Sequence, residues 1–121
     1  MLNQARILSV SCNARFLAAR HNVLERAGFA ITSVATTFDA LDLLEHHNFS
    51  AVVVGDEFSF TEKQLFAADV GERWHIPVLV LYSGDEDYEM TGDAQVELTE
   101  GAAALVSTLK SLIAAKTKRS A

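Results

Sequence analysis

The sequence has only one cysteine, Cys12, and only one proline, Pro77, among its 121 residues. A single cysteine cannot form an internal disulfide and is typical of a reducing compartment, so we expect a cytoplasmic protein. No apolar run reaches the roughly 18 residues that a membrane-spanning helix needs. The N-terminus, MLNQARILSV, also lacks the charged and long apolar regions of a secretory signal. The sequence therefore predicts neither a membrane segment nor export.

Basic residues are few as well, with 10 Lys and Arg against 16 Asp and Glu and a formal net charge of −6. This balance argues against binding to nucleic acid or to an anionic membrane surface. The one basic cluster lies in residues 116–121, which we expect to form a frayed, solvated tail. Half of the residues are hydrophobic, which is enough for one core, so residues 1–121 are predicted to form a single domain.

Strand-like and helix-like segments alternate along the whole chain. Hydrophobic periodicity and turn residues predict strands at 5–12, 29–34, 51–54, 76–82 and 94–98. The same signals predict helices at 13–28, 39–47, 61–74 and 99–115, the last three of them with the capping residues Thr36, Thr61 and Thr99. The alternation indicates a parallel sheet with helices on both faces.

The apolar pattern also predicts the strand order. Residues 51–54 and 77–81 are continuously apolar, as expected of strands that are buried on both faces, whereas 30–34 and 94–98 alternate like edge strands. Placing strands two and five at the edges gives the order 2-1-3-4-5 of a flavodoxin-like doubly wound sandwich. A ligand crevice is then expected where strands one and three end, at 11–13 and 55–56.

Four stretches of the chain carry a resemblance to a known family. They are ILSVSCN (Ile7–Asn13), FDALDLLEHHNF (Phe38–Phe49), FSAVVVGDEFS (Phe49–Ser59) and PVLVLYS (Pro77–Ser83). Together they resemble the CheY-like receiver domain of bacterial response regulators over nearly the whole chain. The resemblance implies a five-stranded flavodoxin-like fold and a role in two-component or phosphorelay signal transduction in the cytoplasm.

The residues that the family uses for phosphorylation are replaced in this sequence. In the best alignment Gly55 stands at the phosphoacceptor aspartate, and Ser11 and Cys12 stand at the two acids that help to hold Mg²⁺. Tyr82, with Ser83 beside it, stands at the family's Thr or Ser, and no lysine between Lys63 and Lys110 can serve at the end of strand five. Because serine and cysteine are poor ligands for a hard cation, we expect a dismantled site without a metal or other cofactor, and no enzyme activity.

The segment between strands four and five is also unusual for the family. Residues 84–93, GDEDYEMTGD, contain two glycines and five acids and make a poor helix, so the fourth helix is expected to be shortened or missing. The charge of this segment suggests a docking surface for a protein partner, formed by Asp85, Glu86, Asp87, Tyr88 and Glu89 together with Tyr82. These features favour a stand-alone pseudo-receiver that works through protein interaction or dimerisation without phosphorylation.

Two other functions stay open at this stage. Asp56 could be the phosphoacceptor of an atypical site, with Glu57 helping to hold Mg²⁺. Cys12, just before a helix, could instead serve an enzyme or a phosphocarrier, because a helix N-terminus favours a thiolate. Otherwise Cys12 is expected to be a small half-buried apolar residue, and Phe58 and Tyr82 are expected to fill the unused crevice.

Overall fold

The computed structural model describes residues 4–82, 92–97 and 100–120, and the side chains of all of these except 116–120. Five strands and four helices alternate in this part of the chain until β4, which is followed by β5 and then by the last helix. They are β1 Arg6–Val10, α1 Ala14–Arg26, β2 Ala30–Val34, α2 Thr37–His46, β3 Ala51–Val54, α3 Phe60–Trp74, β4 Val78–Tyr82, β5 Ala94–Glu97 and α4 Gly101–Ser120.

The five strands form one parallel sheet in the order β2-β1-β3-β4-β5. This confirms the predicted flavodoxin-like fold and its strand order. The register places Val10 of β1 beside Val34 of β2 and beside Val54 of β3. The three strands therefore end at the same level, and the residues that follow β1 and β3 meet at one edge of the sheet.

Each face of the sheet carries its own apolar layer. On one face, α2 and α3 cover a cluster of buried side chains that includes Leu44, Phe66 and Val70. On the other face, α1 and α4 cover a second cluster that includes Leu24, Leu105 and Leu109. Successive residues of β3 alternate between the two clusters, which is why its AVVV sequence is apolar throughout. No described helix is long and apolar enough to cross a membrane.

The helix boundaries correct two of the predictions. Thr36 caps α2 as predicted, and its hydroxyl accepts a hydrogen bond from the Asp39 N–H. Helix α3, however, begins at Phe60, and its cap is Ser59 rather than Thr61. A serine followed three residues later by Glu62 is also a capping signal, and it lies at the end of the turn that leaves β3. Helix α4 passes the predicted end at 115, so residues 116–120 of the basic tail continue the helix.

No described helix lies between β4 and β5. Most of the acidic segment, including Ser83 and the predicted docking residues 85–89, lies outside the described residues, as does the predicted cap Thr99. The described end of the segment is fixed to the sheet by Asp93. Its backbone N–H donates to Val78 O at 2.8 Å, and its carboxylate accepts from the Val78 N–H at 2.8 Å. This two-way contact sets the register in which β5 begins.

Candidate functional site

The sequence-predicted crevice forms at the carboxyl ends of β1 and β3. The Gly55 N–H donates to Val10 O at 2.9 Å, and the Ser11 N–H donates to Val34 O at 3.1 Å. These two bonds extend the sheet by one residue on each strand. Ser11 is fully buried and Gly55 is buried as well. The structure thus brings together the two positions that the sequence placed at the crevice.

The carboxylate of Glu57 occupies the space above Gly55. A Cβ atom at position 55 would lie 2.7 Å from Glu57 Oε2 and 2.8 Å from Oε1, both far inside normal contact distance. The hydroxyl of Ser11 donates to Glu57 Oε1 and accepts a hydrogen bond from the Asn13 N–H at 3.2 Å. A carboxylate therefore lies at this point of the crevice, although residue 55 has no side chain to supply one.

Lys63 brings a buried cation to the same edge of the sheet. Its side chain is 1% exposed, and Nζ donates to Asp56 Oδ1 at 2.9 Å and to Leu81 O, near the end of β4, at 2.9 Å. The prediction concerned only the end of strand five and did not consider that a lysine of α3 could reach this edge. The signal was present in α3, where Lys63 lies on the helix stripe that includes Phe66 and Val70.

Arg20 is a second buried cation that the sequence analysis did not single out. Its side chain projects from the buried face of α1, one turn before Leu24, and the residue is 9% exposed. Burial lowers the pKa of the Arg20 guanidinium, while the negative charges of Glu57 and Asp56 act in the opposite direction. Within the described residues, its Nη1 atom is buried without a hydrogen-bond partner.

The other predicted site residues lie at the margin of the crevice. Cys12 is exposed rather than half-buried, because the chain leaves the sheet after Ser11. Next to it, the Asn13 side chain accepts hydrogen bonds from the first amides of α1, those of Arg15 and Phe16, at 3.0 and 3.1 Å. The first amides of α1 beside Cys12 thus already have a hydrogen-bond acceptor in Asn13.

Phe58 does not fill the crevice in the way the sequence suggested. Phe58 is 8% exposed and belongs to the apolar layer under α2 and α3, so that Glu57, and not Phe58, occupies the space above Gly55. Tyr82 ends β4 and is partly exposed. The turn after β3 explains the difference, since it directs Glu57 over the sheet edge and Phe58 back into the core.

The crevice residues do not fit the coordination that Mg²⁺ requires. This ion takes several oxygen ligands in octahedral geometry. The two carboxylates of the crevice are already hydrogen-bonded, Asp56 to Lys63 and Glu57 to Ser11. The two buried cations, Lys63 and Arg20, oppose the entry of a further positive charge. Across residues 4–82, 92–97 and 100–120, no three His, Cys, Asp or Glu side chains come together in a way that could hold a metal ion.

No protein-family model matches the sequence, and no curated protein matches it either. The fold, in contrast, is shared by many solved structures. A CheY-like receiver domain protein from Methanospirillum hungatei superimposes with a TM-score of 0.83 at 16% identity, over 97% of this chain and 99% of that one. The N-terminal domain of a response regulator/sensory box/GGDEF protein from Carboxydothermus hydrogenoformans gives 0.84 at 14% identity, over 96% and 99%.

The chemotaxis response regulator CheY4 of Vibrio cholerae superimposes with a TM-score of 0.79 at 15% identity, over 91% of this chain and 99% of that one. At these identities the likeness shows a shared fold. The chain has the fold of CheY-like receiver domains, and it spans almost the full length of the three chains compared.

Proposed function

We propose that the chain is a receiver-like interaction module of two-component signalling that acts in the cytoplasm without being phosphorylated. The receiver fold supports the signalling context. The observation that carries the rest of the proposal is the position of Glu57, whose carboxylate lies above Gly55 and is bonded to Ser11. A module of this kind would bind its partner in one fixed state instead of switching between two.

The chemistry of phosphoryl transfer supports this proposal. An acceptor needs a carboxylate oxygen that can attack the phosphorus atom, and the resemblance implies that it also needs Mg²⁺ beside it. Gly55 supplies no oxygen, and the neighbouring carboxylates of Asp56 and Glu57 already have hydrogen-bond donors. The Glu57 carboxylate lies beside the position at which an active receiver would carry its phosphoryl group.

The test is intact mass spectrometry after incubation with Mg²⁺ and acetyl phosphate. We expect no phosphoryl adduct on this chain under conditions in which an active receiver, treated in parallel, is labelled. The variants Asp56→Ala and Gly55→Asp complete the set. An adduct on the unmodified chain that disappears in Asp56→Ala would overturn the proposal.

A second candidate function has one observation in its favour. The Lys63 amine lies 2.9 Å from Asp56 Oδ1, and a cation next to a carboxylate is also what the family uses to hold a phosphoryl group. Asp56 would then be the acceptor of an atypical receiver. The same mass measurement separates the two functions, because only this one predicts an adduct that depends on Asp56.

The mode of interaction is tested separately by analytical ultracentrifugation of the full chain, with and without Mg²⁺ and acetyl phosphate. We expect the state of association to be identical in the two conditions.

Because of its negative charge, the acidic segment 85–89 remains the proposed docking surface for a protein partner or a second copy of the chain. Reversal of Asp85 and Asp87 to lysine should weaken that association, whereas an unchanged association constant would exclude this segment.

A further inference from the structure

A second concave site lies between α1 and α4, and Arg20 is among the residues that line it. It is a groove of about 200 Å³. Its walls are mainly apolar and are formed by Phe16 and Val23 of α1, by Leu81 and Val96 of the sheet, and by Leu105 of α4. Phe16 stands at the rim and is 49% exposed. This site plays no part in the proposed function, and the inference drawn from it is independent of that function.

The polar group in this groove is Arg20, which also lines it. Its Nη1 atom is buried without a hydrogen-bond partner within the described residues, and a buried donor that has lost its water without gaining an acceptor is unfavourable. The carboxylates whose charges act on Arg20 are engaged elsewhere, Asp56 with Lys63 and Glu57 with Ser11. An anion that enters through the groove could accept a hydrogen bond from Arg20 Nη1.

The start of α4 adds to the positive potential at one end of the groove. Gly101 and Ala102 line it, and the N-terminus of a helix of this length attracts negative charge. Glu97 also lines the groove, and its charge disfavours a ligand that carries several negative charges.

We propose that this groove binds a small monoanionic carboxylate with an apolar body, whose carboxylate pairs with the Arg20 guanidinium and whose body lies against Val23, Val96 and Leu105. Arginine is suited to the carboxylate because its planar fork can donate two parallel hydrogen bonds. The size also fits, since an apolar cavity of about 150 Å³ can take a benzene ring. An acid of about ten non-hydrogen atoms would therefore be accommodated.

The test is a titration of the ¹⁵N-labelled full chain with phenylacetate at low ionic strength, in which NMR chemical shifts of the backbone amides report binding. For a ligand of this size we expect saturable shifts with a Kd on the order of 1 mM. The shifts should be centred on the amides of Val23, Val96 and Leu105. The uncharged analogue phenylacetamide has the same shape and should bind about tenfold more weakly, because it cannot form a charge-assisted pair with Arg20.

Two variants of α1 complete the design. Arg20→Met should lower the affinity for phenylacetate about tenfold and remove the difference between phenylacetate and phenylacetamide. Arg26→Met, which changes an exposed arginine in the last turn of the same helix, should leave both affinities unchanged. The proposal fails if phenylacetate gives no saturable shift up to about 20 mM, if the acid and the amide bind equally well, or if the shifts lie outside the groove. Equally tight binding of inorganic phosphate would also overturn it, since the apolar wall would then contribute nothing.

Discussion

Glu57 and Gly55 share one site in this protein, because the carboxylate of Glu57 lies where any side chain at position 55 would begin. Gly55→Asp should therefore destabilise the fold by about 1–3 kcal/mol, as overpacked buried positions generally do. The aspartate would displace Glu57 from Ser11 and would set two carboxylates side by side. Urea unfolding, followed by the fluorescence of Trp74, the single tryptophan, measures the change.

The double variant Gly55→Asp, Glu57→Ala separates this conflict from a general intolerance of side chains at position 55. We expect the double variant to recover most of the lost free energy of unfolding, which would give a coupling energy of at least about 1 kcal/mol in a double-mutant cycle. Gly55→Ala should cost less than Gly55→Asp, since the flexible end of Glu57 can yield to a methyl group. Strictly additive effects of the two changes would contradict the shared site.

Lys63 is predicted to be a major contributor to stability. Lys63→Met removes the donor to Leu81 O and leaves Asp56 without its ion-pair partner, so the free energy of unfolding should fall by about 3 kcal/mol. This is the lower end of the range for a broken buried pair, because the Asp56 side chain is 20% exposed. Lys110→Met, at an exposed position of α4, is the matched control and should have little effect. A loss as small in Lys63→Met as in the control would mean that the buried pair contributes nothing.

The cap of α3 gives a test of where this helix begins. Ser59→Ala should lower the free energy of unfolding by about 1 kcal/mol, because the Ser59 hydroxyl accepts a hydrogen bond from the Glu62 N–H at 3.1 Å. Thr61→Ala changes an exposed residue inside the first turn and should stay within about 0.5 kcal/mol of the parent chain. If the larger loss followed Thr61→Ala, the helix would begin at the position that the sequence first suggested.

Arg20 should have the opposite effect on stability from Lys63. Burial lowers its pKa in the folded chain, so the protonated form is less favourable in the folded than in the unfolded state, and removing the charge should stabilise the fold. We expect Arg20→Met to raise the free energy of unfolding by about 1 kcal/mol in the absence of ligand. Arg26→Met serves again as the exposed control. A clear loss of stability in Arg20→Met would show that attraction to Asp56 and Glu57 outweighs the cost of burial.

Most of the fold could be predicted from the sequence, because the signals were local. The continuous apolar run at 51–54 and the alternating pattern at 30–34 correctly separated central from edge strands. The crevice positions Ser11 and Gly55 followed from the same order. Strand and helix ends were less well predicted, as the cap at Ser59 shows, since several capping residues lie within a few positions of one another.

The charges in the crevice could not be predicted in the same way, because they depend on long side chains that cross between elements. The Lys63 amine starts in α3 and ends at a carbonyl of β4, and Glu57 reaches from the turn after β3 to Ser11 after β1. Sequence spacing gives the origin of such a side chain but not its end. A charged residue on an otherwise apolar helix stripe, such as Lys63 or Arg20, is the one signal that points to such a connection.

The position of Glu57 has a consequence for how this protein can change during evolution. A single substitution that placed an aspartate at position 55 would bring its side chain against the Glu57 carboxylate. A first step towards the acceptor aspartate of the receiver family would thus lower stability, and Ser11 and Cys12 would still supply no carboxylate ligand for Mg²⁺. A glycine at position 55 is therefore easy to maintain and costly to replace, because the Glu57 carboxylate already occupies the space that a side chain there would need.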